Sequence, residues 1–514
     1  MKKTMYINDP CHFNSLRSPY HPTARYNRYV ECEVTEEIVR ASVDEALDAG
    51  ADIFANEIYG MVPWYPSRVH PLEEHLDWFY NEYGGKSKEG LLTFTQNGGD
   101  FVAIQCDETH KKGKEYFISY RLNDHHGMTG EVTPENAMVR WVTKFYIDHP
   151  EYRIGDEQPN VPWAKRHLDF RFPEVVNYKL EILYELIENY DLDGLMIDFL
   201  RSPVLFNQNK TTLEERVEII TAFFASLRAA IDKKAEKTGK LCKLGAKIPM
   251  DPEGFALLGI DIKRLSEVGV EFFDIFDYFC ARQYYDTVAL VKEQSGGKTV
   301  FYETSQAPTW RLVNGARTMR LSTMEQYYTT AYLAYKRGAD GMSVFNFPWY
   351  RSDSENSGVY YTPPFEIFSK MKDEKFLAEQ PQYYFEAATE NMIPHGFDLK
   401  SAVFENGTEQ SFFMDLEQPL GGFGEKGFLR LESTQELTAC GFAVSINGIA
   451  LEECETMEEP FPVVYVSNVS TPAQSKQYAV PSSILKNGKN RVCIRSRVPE
   501  GESVQLYLVS LMLP

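Results

Sequence analysis

A chain of 514 residues exceeds one ordinary core, because domains usually run about 100 to 200 residues and a single eight-stranded barrel about 250; a large unit followed by a smaller one is expected. Hydrophobic residues make up 43%, charged residues 25% and aromatic residues 14%, a globular composition that excludes disorder, collagen and coiled coil and is unusual only in its 33 Phe and 31 Tyr. Acidic side chains outnumber basic ones by 74 to 53, a net charge of -21 that repels polyphosphate backbones and anionic membrane surfaces, so neither nucleic acid nor membrane is an expected partner.

In chain order, the first apolar run is MYIN at 5–8. An amphipathic helix over about 35–50 follows, with Val39, Val43, Ala46 and Leu47 on one face, and leads through a small polar link into a strand at 52–56. Another strand is predicted at 115–121 (EYFISYR). The stripe Val176, Leu180, Leu183 and Ile187 marks a helix that passes through NYDLDG into a strand at 194–199. Thr212 with Glu215 opens a helix carrying Val217, Ile220, Phe224, Leu227 and Ile231. Strands follow at 243–249, 273–281 and 299–304; then Ser322 with Glu325 opens a helix ending at Gly338, and ADG leads into an eighth strand at 341–346. Eight strands alternating with helices predict a (β/α)8 TIM barrel over 1–384, with reactive groups where strands end. The competing doubly wound sheet lacks its phosphate-binding glycine motifs. Over 385–514 the pattern becomes short alternating runs such as GFLRLES, RVCIRSR and VQLYLVSLML, which read as an antiparallel β-sandwich.

No stretch approaches the roughly 18 to 20 apolar residues of a membrane span. The start, MKKTMYINDPCHFNS, turns polar too soon for a secretory signal, so a cytoplasmic location is expected. The eight cysteines are dispersed, with no CxxC pair and no His-Cys cluster at ligand spacing. They read as reduced, mostly buried thiols, and neither a metal nor a cofactor is expected.

If the barrel forms, the strand ends share one rim. They supply Asn8 and Asp9; Asn56 and Glu57, followed by Trp64 and Tyr65; Arg121, Asn123, Asp124, His125 and His126; and Asp198 with Arg201. The later strands add Lys247, Arg282, Glu303 and Asn346. Amides and carboxylates bind hydroxyls and aromatic rings stack on sugar faces, so this rim suits a carbohydrate substrate. Each residue also has a plainer reading. Asp198 can be a structural ion pair with an arginine, the histidines can sit in a solvated loop or a metal site, Asp9 can cap a segment, and PWYPS can be a packed corner. The aromatic excess suits sugar stacking or a homo-oligomer interface equally.

Four strings taken together, an early Asn-Asp, YPSRV, RLNDHHG and DGLMIDFLRSP, resemble glycoside hydrolase family 156, the inverting exo-sialidases, within the glycoside-hydrolase-like family ten group of barrels. The resemblance covers roughly residues 1–350. It implies a catalytic pair at Asp9 and His126, with Arg121 contacting substrate and Arg201 and Asn346 lining the pocket. An Asp-His couple can activate a water, as inversion requires, and the sugar carboxylate would need cations, for which Arg121, Arg201, Arg282 and Lys247 are the candidates. Asn8, Asn123, Asp124 and Asp198 complete the expected substrate contacts. The alternatives are a carboxylate mechanism pairing Asp198 with Glu57 or Glu303, on another acidic or a neutral sugar, and a sugar-binding barrel without turnover. YAVPSSILKNGKNRVCIR resembles the closing strands of jelly-roll modules appended to carbohydrate-active enzymes.

Overall fold

The structure, a computed structural model, describes residues 2–10, 33–85, 90–124, 131–158, 162–200, 203–277, 281–308, 312–313, 316–317, 320–345, 347, 363–387, 402–461, 464–465 and 472–514. Eight parallel strands close into a barrel: β1 (Lys3–Asn8), β2 (Ile53–Tyr59), β3 (Glu115–Arg121), β4 (Gly194–Asp198), β5 (Lys243–Pro249), β6 (Phe272–Phe276), β7 (Thr299–Ser305) and β8 (Gly341–Phe345). Each pairs with its sequence neighbours, and β1 closes the ring on β8 with Tyr6 opposite Val344. These are the eight runs expected from sequence, although the sixth stops at Phe276 rather than at 281.

The helices that matter to the site are α1 (Glu36–Asp48), α2 (Leu72–Tyr83), α3 (Lys144–Asp148), α4 (Pro173–Asn189), α5 (Leu213–Thr238) and α6 (Met324–Lys336). In α1 the Thr35 hydroxyl accepts the Ile38 N–H, and the predicted face of Val39, Val43, Ala46 and Leu47 is buried. The Thr212 and Glu215 capping box opens α5, which ends where Gly239 takes a left-handed φ of 72°. The box of α6 lies one residue later than predicted, on Thr323 and Gln326. Ser322 is otherwise engaged, its hydroxyl donating to the Ser305 carbonyl at 3.4 Å.

Pleating sends alternate residues of each strand into the barrel, and the lower layer is an aromatic plug. Phe117, Phe272 and Phe301 stand opposite Gly194, Gly245 and Gly341 of the adjoining strands. A Cβ on Gly245 would lie 2.2 Å from the Phe272 ring, and one on Gly194 or Gly341 would meet its facing phenyl ring at 2.5 to 2.6 Å. The three glycines therefore make the room that the three rings fill. Below them Lys3 and Lys243 both reach Glu115, at 2.9 and 3.2 Å.

The C-terminal region contains two antiparallel sheets. Strands β9 (Gln382–Ala387), β10 (Ala402–Phe404), β11 (Glu409–Leu416), β12 (Lys426–Ser433), β13 (Gly441–Ile446), β14 (Ser475–Pro481), β15 (Gly488–Arg497) and β16 (Val504–Leu513) make them up. One sheet runs β9-β16-β12-β14, with β10 also on β16 and the two-residue strand Glu452–Glu453 on the edge of β14; the other runs β11-β15-β13, with Ile449–Ala450 on the edge of β13. β15 shows the expected alternation, Val492 and Ile494 buried and Arg491 and Arg495 exposed. The division expected between 384 and 385 falls inside β9, whose six residues all pair with β16.

The sandwich is sewn to the barrel through the segment between β7 and α6. Arg320 and Leu321 pair with Tyr465 and Val464. The buried Arg320 guanidinium donates to both Glu432 oxygens at 2.9 and 3.0 Å and to the Tyr383 hydroxyl at 2.6 Å. The Tyr507 hydroxyl also donates to Glu432 at 2.9 Å. Nearer the surface, Arg337 binds Asp415 and Glu417 at 2.6 and 2.8 Å.

Candidate active site

Above the aromatic plug the barrel interior is charged, where TIM barrels usually carry Val, Ile and Leu. The inward positions at the C-terminal ends of the strands hold Glu57, Arg121, Asp198, Lys247, Asp274 and Glu303, all buried, and Asp9 follows β1 directly. Two cations organise these carboxylates. Arg121 bonds Glu57 through Nε and Asp9 through Nη2 at 2.7 Å, with Asp124 at 3.4 Å from Nη1. Lys247 meets Glu303 at 2.9 Å, Asp198 at 3.7 Å and Glu57 at 4.0 Å. Glu57 therefore links the two groups. The Phe345 ring lies between them, 5.6 Å from the Arg121 guanidinium and 4.7 Å from the Lys247 ammonium, an arrangement favourable to both cations.

This crowding sets the protonation states. Burial pushes Glu57 up to about 7; Arg121 and Lys247 oppose the rise, and Asp198 and Asp9 add to it. Burial also holds Glu303 well above the usual carboxylate range and raises Asp274, in both cases against the pull of Lys247. For Lys247 burial acts downward, but Asp198, Glu303, Glu57 and Asp274 together outweigh it and keep the ammonium charged. Arg121 is likewise held above its ordinary value by Glu57, Asp9 and Asp124 despite burial. The centre combines fixed cations with carboxyl groups whose proton affinities burial raises, Glu57 to about 7, the combination acid-base chemistry uses.

Two carboxylates of the set reach the mouth, Asp9 at 7% exposure and Asp198 at 3%. Asp9 accepts from the Tyr59 hydroxyl at 2.5 Å and from Arg121, partners that complement a negative charge. Asp198 accepts the Leu200 N–H at 2.7 Å with one oxygen and faces Lys247 with the other. Among the described residues, no group of three or more His, Cys, Asp or Glu is arranged to hold a metal ion.

Of the residues expected at the site, the structure brings Asp9, Arg121, Asp124, Asp198 and Lys247 together, with Glu57 and Glu303 of the alternative carboxylate pairing. Asn8 is buried, its amide donating to Asn56 Oδ1 at 3.1 Å. Asn123 is a staple between loops: its Nδ2 donates to the carbonyls of Leu168 and Val204 at 3.0 and 2.9 Å. Arg282 is buried with Asp277, 3.2 Å away. Trp64 and Tyr65 are core, and the Tyr65 hydroxyl turns to Glu185 at 3.4 Å. His126, Arg201 and Asn346 lie outside the described residues.

Five residues in or beside the site were not anticipated. Asp274 accepts from the Ser343 hydroxyl at 2.6 Å, Ser119 donates to Glu57 at 3.2 Å, and Tyr59 holds Asp9. The signal for Asp274 is its place two residues from each of Phe272 and Phe276 in FFDIF, on the inward register. The last is Lys179, buried on α4, whose ammonium donates to the Gly60 carbonyl just beyond β2. Burial brings it down to about 7, against the upward pull of Asp124.

No protein-family model matches the chain, and no curated protein does. Among solved structures, the chain is similar to the glycoside hydrolase domain of PgaB (BpsB) from Bordetella bronchiseptica, at 11% identity and a TM-score of 0.41, over 68% of this chain and 95% of that one. A chitinase from Bacillus thuringiensis aligns at 9% identity and 0.41, over 99% and 100%. A cycloisomaltooligosaccharide glucanotransferase from Paenibacillus aligns at 10% identity and 0.35, over all of this chain, which spans 57% of its length. The barrel assignment itself rests on the strand pairing described above.

Proposed function

We propose that the chain is a glycoside hydrolase acting at the C-terminal mouth of its barrel. The observation that supports this most is two rim carboxylates, Asp9 and Asp198, standing over a buried Glu57 that titrates at about 7. Glycosidic hydrolysis asks for one carboxyl group that still carries a proton to assist the leaving oxygen and another group that activates water or attacks the anomeric carbon. A centre where burial and fixed cations spread the affinities of neighbouring carboxyl groups supplies that division of labour.

The specific reading is an inverting exo-sialidase in which Asp9, with His126, activates water while Arg121 and Arg201 receive the sugar carboxylate. It rests on the sequence resemblance and on Asp9 being held by Tyr59 and Arg121. One observation favours a second reading. Arg121 and Lys247 each already meet three carboxylates, so an anionic sugar bound by either of them would have to exchange with an internal partner, whereas a neutral glycoside cut by Asp198 with Glu57 or Glu303 would not.

Proton NMR of the purified protein with sialyl-lactose tests both. Release of the inverted anomer before mutarotation supports the sialidase, and D9N is then expected to lose at least about 100-fold in kcat. No release from sialyl-lactose, with turnover of a neutral glycoside that D198N abolishes, supports the second reading. Absence of turnover on acidic and neutral glycosides alike would leave a sugar-binding barrel.

A further inference from the structure

Away from the barrel mouth, a groove of about 560 Å³ runs along the flank between the segment after β2, α2, α3 and the first turns of α4. That volume is in the range of small-molecule sites. Its floor is apolar, formed by Met61, Val62 and Pro63 with Tyr178. The Tyr178 ring stacks on Phe145 at 4.4 Å and meets the His70 ring at 4.6 Å, and Trp78, half-buried, stands beside His75 at 5.8 Å. Aromatic faces therefore bound the groove on both sides.

The charge on this lining is mainly negative. Glu74, Glu174 and Glu181 line it, and all three are exposed. Lys144 also lines the groove, but its ammonium is already bonded to Asp148 one turn along α3. Neither histidine offsets the carboxylates at neutral pH. Burial lowers His70, with Lys179 adding to the fall and Glu185 opposing it; burial lowers His75 too, although its Nε2 lies 2.8 Å from the Val139 carbonyl. Exposed carboxylates around aromatic and apolar walls complement a cation that also carries an apolar surface, since aromatic faces attract cations and the carboxylates pair with them.

We propose that this groove is a binding site for an organic ammonium ion, an amine carried on an apolar chain or ring. The proposal is independent of what the barrel mouth does. Isothermal titration of the full chain with spermidine, a chain amine, and tyramine, a ring amine, tests it, with 4-ethylphenol as the uncharged analogue of tyramine. One amine at least is expected to bind saturably with a stoichiometry of one, and the better binder identifies whether a chain or a ring is preferred. The double variant E74Q/E181Q is expected to weaken binding by about tenfold and W78A by a similar factor, with 4-ethylphenol binding at least about tenfold more weakly than tyramine. The two glutamates are exposed, so their variant keeps the fold, which circular dichroism verifies for both. No saturable binding of either amine, binding that both variants leave unchanged, or equal binding of 4-ethylphenol and tyramine would overturn the proposal.

Discussion

The two halves of the barrel interior are built from the same strands and make opposite use of them. In the lower half, Phe117, Phe272 and Phe301 fill the space left by three glycines on neighbouring strands, an apolar layer with no polar group to satisfy. One pleat higher, at Ser119, Asp274 and Glu303, the same strands turn polar and buried, and burial raises the proton affinity of the two carboxyl groups above that in water. Two residues of strand separate a layer that stabilises from one that costs stability. Desolvated carboxylates are expensive unless paired or protonated, so the plug offsets the centre above it.

The largest effect is expected from breaking the plug. Phe272→Ala should cost about 3 to 5 kcal/mol through lost burial and the cavity left behind, read from the denaturant midpoint at constant slope, while the turnover of each folded molecule stays close to wild type. A loss below about 1 kcal/mol would mean that the lower layer does not carry the barrel.

Glu57 sharpens the other side of the comparison. Its folded pKa of about 7 lies above the ordinary value of 4.5, so below pH 4.5 it is protonated in both the folded and unfolded chain and its stabilising contribution is complete. Between pH 4.5 and 7 the unfolded chain gives up the proton first, and stability falls as pH rises, by on the order of 3 kcal/mol. Glu57→Gln should remove this slope, so that midpoints at pH 5 and pH 8 converge relative to wild type. An unchanged slope would show that another carboxyl group holds the proton.

Smaller changes follow from single contacts. Ser343→Ala takes from Asp274 its buried hydroxyl donor and should cost about 1 to 3 kcal/mol. It should also raise the affinity of Asp274 for its proton further, since the Ser343 hydrogen bond now opposes the rise caused by burial; chemical denaturation at two pH values separates the two effects. Lys3→Ala, which removes a partly exposed partner of Glu115, should cost less than about 1 kcal/mol, diminishing with added salt.

The barrel was legible in the sequence because parallel strands buried on both faces read as continuous apolar runs, and each run here stops at polar residues. That same continuity hid part of the site. FFDIF reads as one buried strand; its alternation puts Asp274 on the face of Phe272 and Phe276, but only the closed barrel tells that this face points inward. The glycines of DGLM, KLGA and DGMS look like turn punctuation, yet their reason is a phenyl ring on another strand, a contact no local pattern contains. Asp9, Arg121, Asp198 and Lys247 could be named as rim residues from their positions at strand ends. Their grouping around two cations depends on which strands adjoin, and so does the role of Asn123, a rim residue by position that is spent on tying loops.

Arg320 and Glu432 are 112 residues apart in the chain. At a ribosomal rate of about 5 to 20 residues per second, Arg320 waits roughly 6 to 22 seconds for its carboxylate to be synthesised, and all eight barrel strands emerge within that interval or before it. A nascent chain halted between residues 346 and 431 would thus hold every strand of the barrel and still lack the Glu432 carboxylate that Arg320 binds. Completion of the contacts that bury Arg320 therefore waits on the C-terminal sheets, and a product truncated within that interval should expose Arg320 even though its barrel sequence is complete.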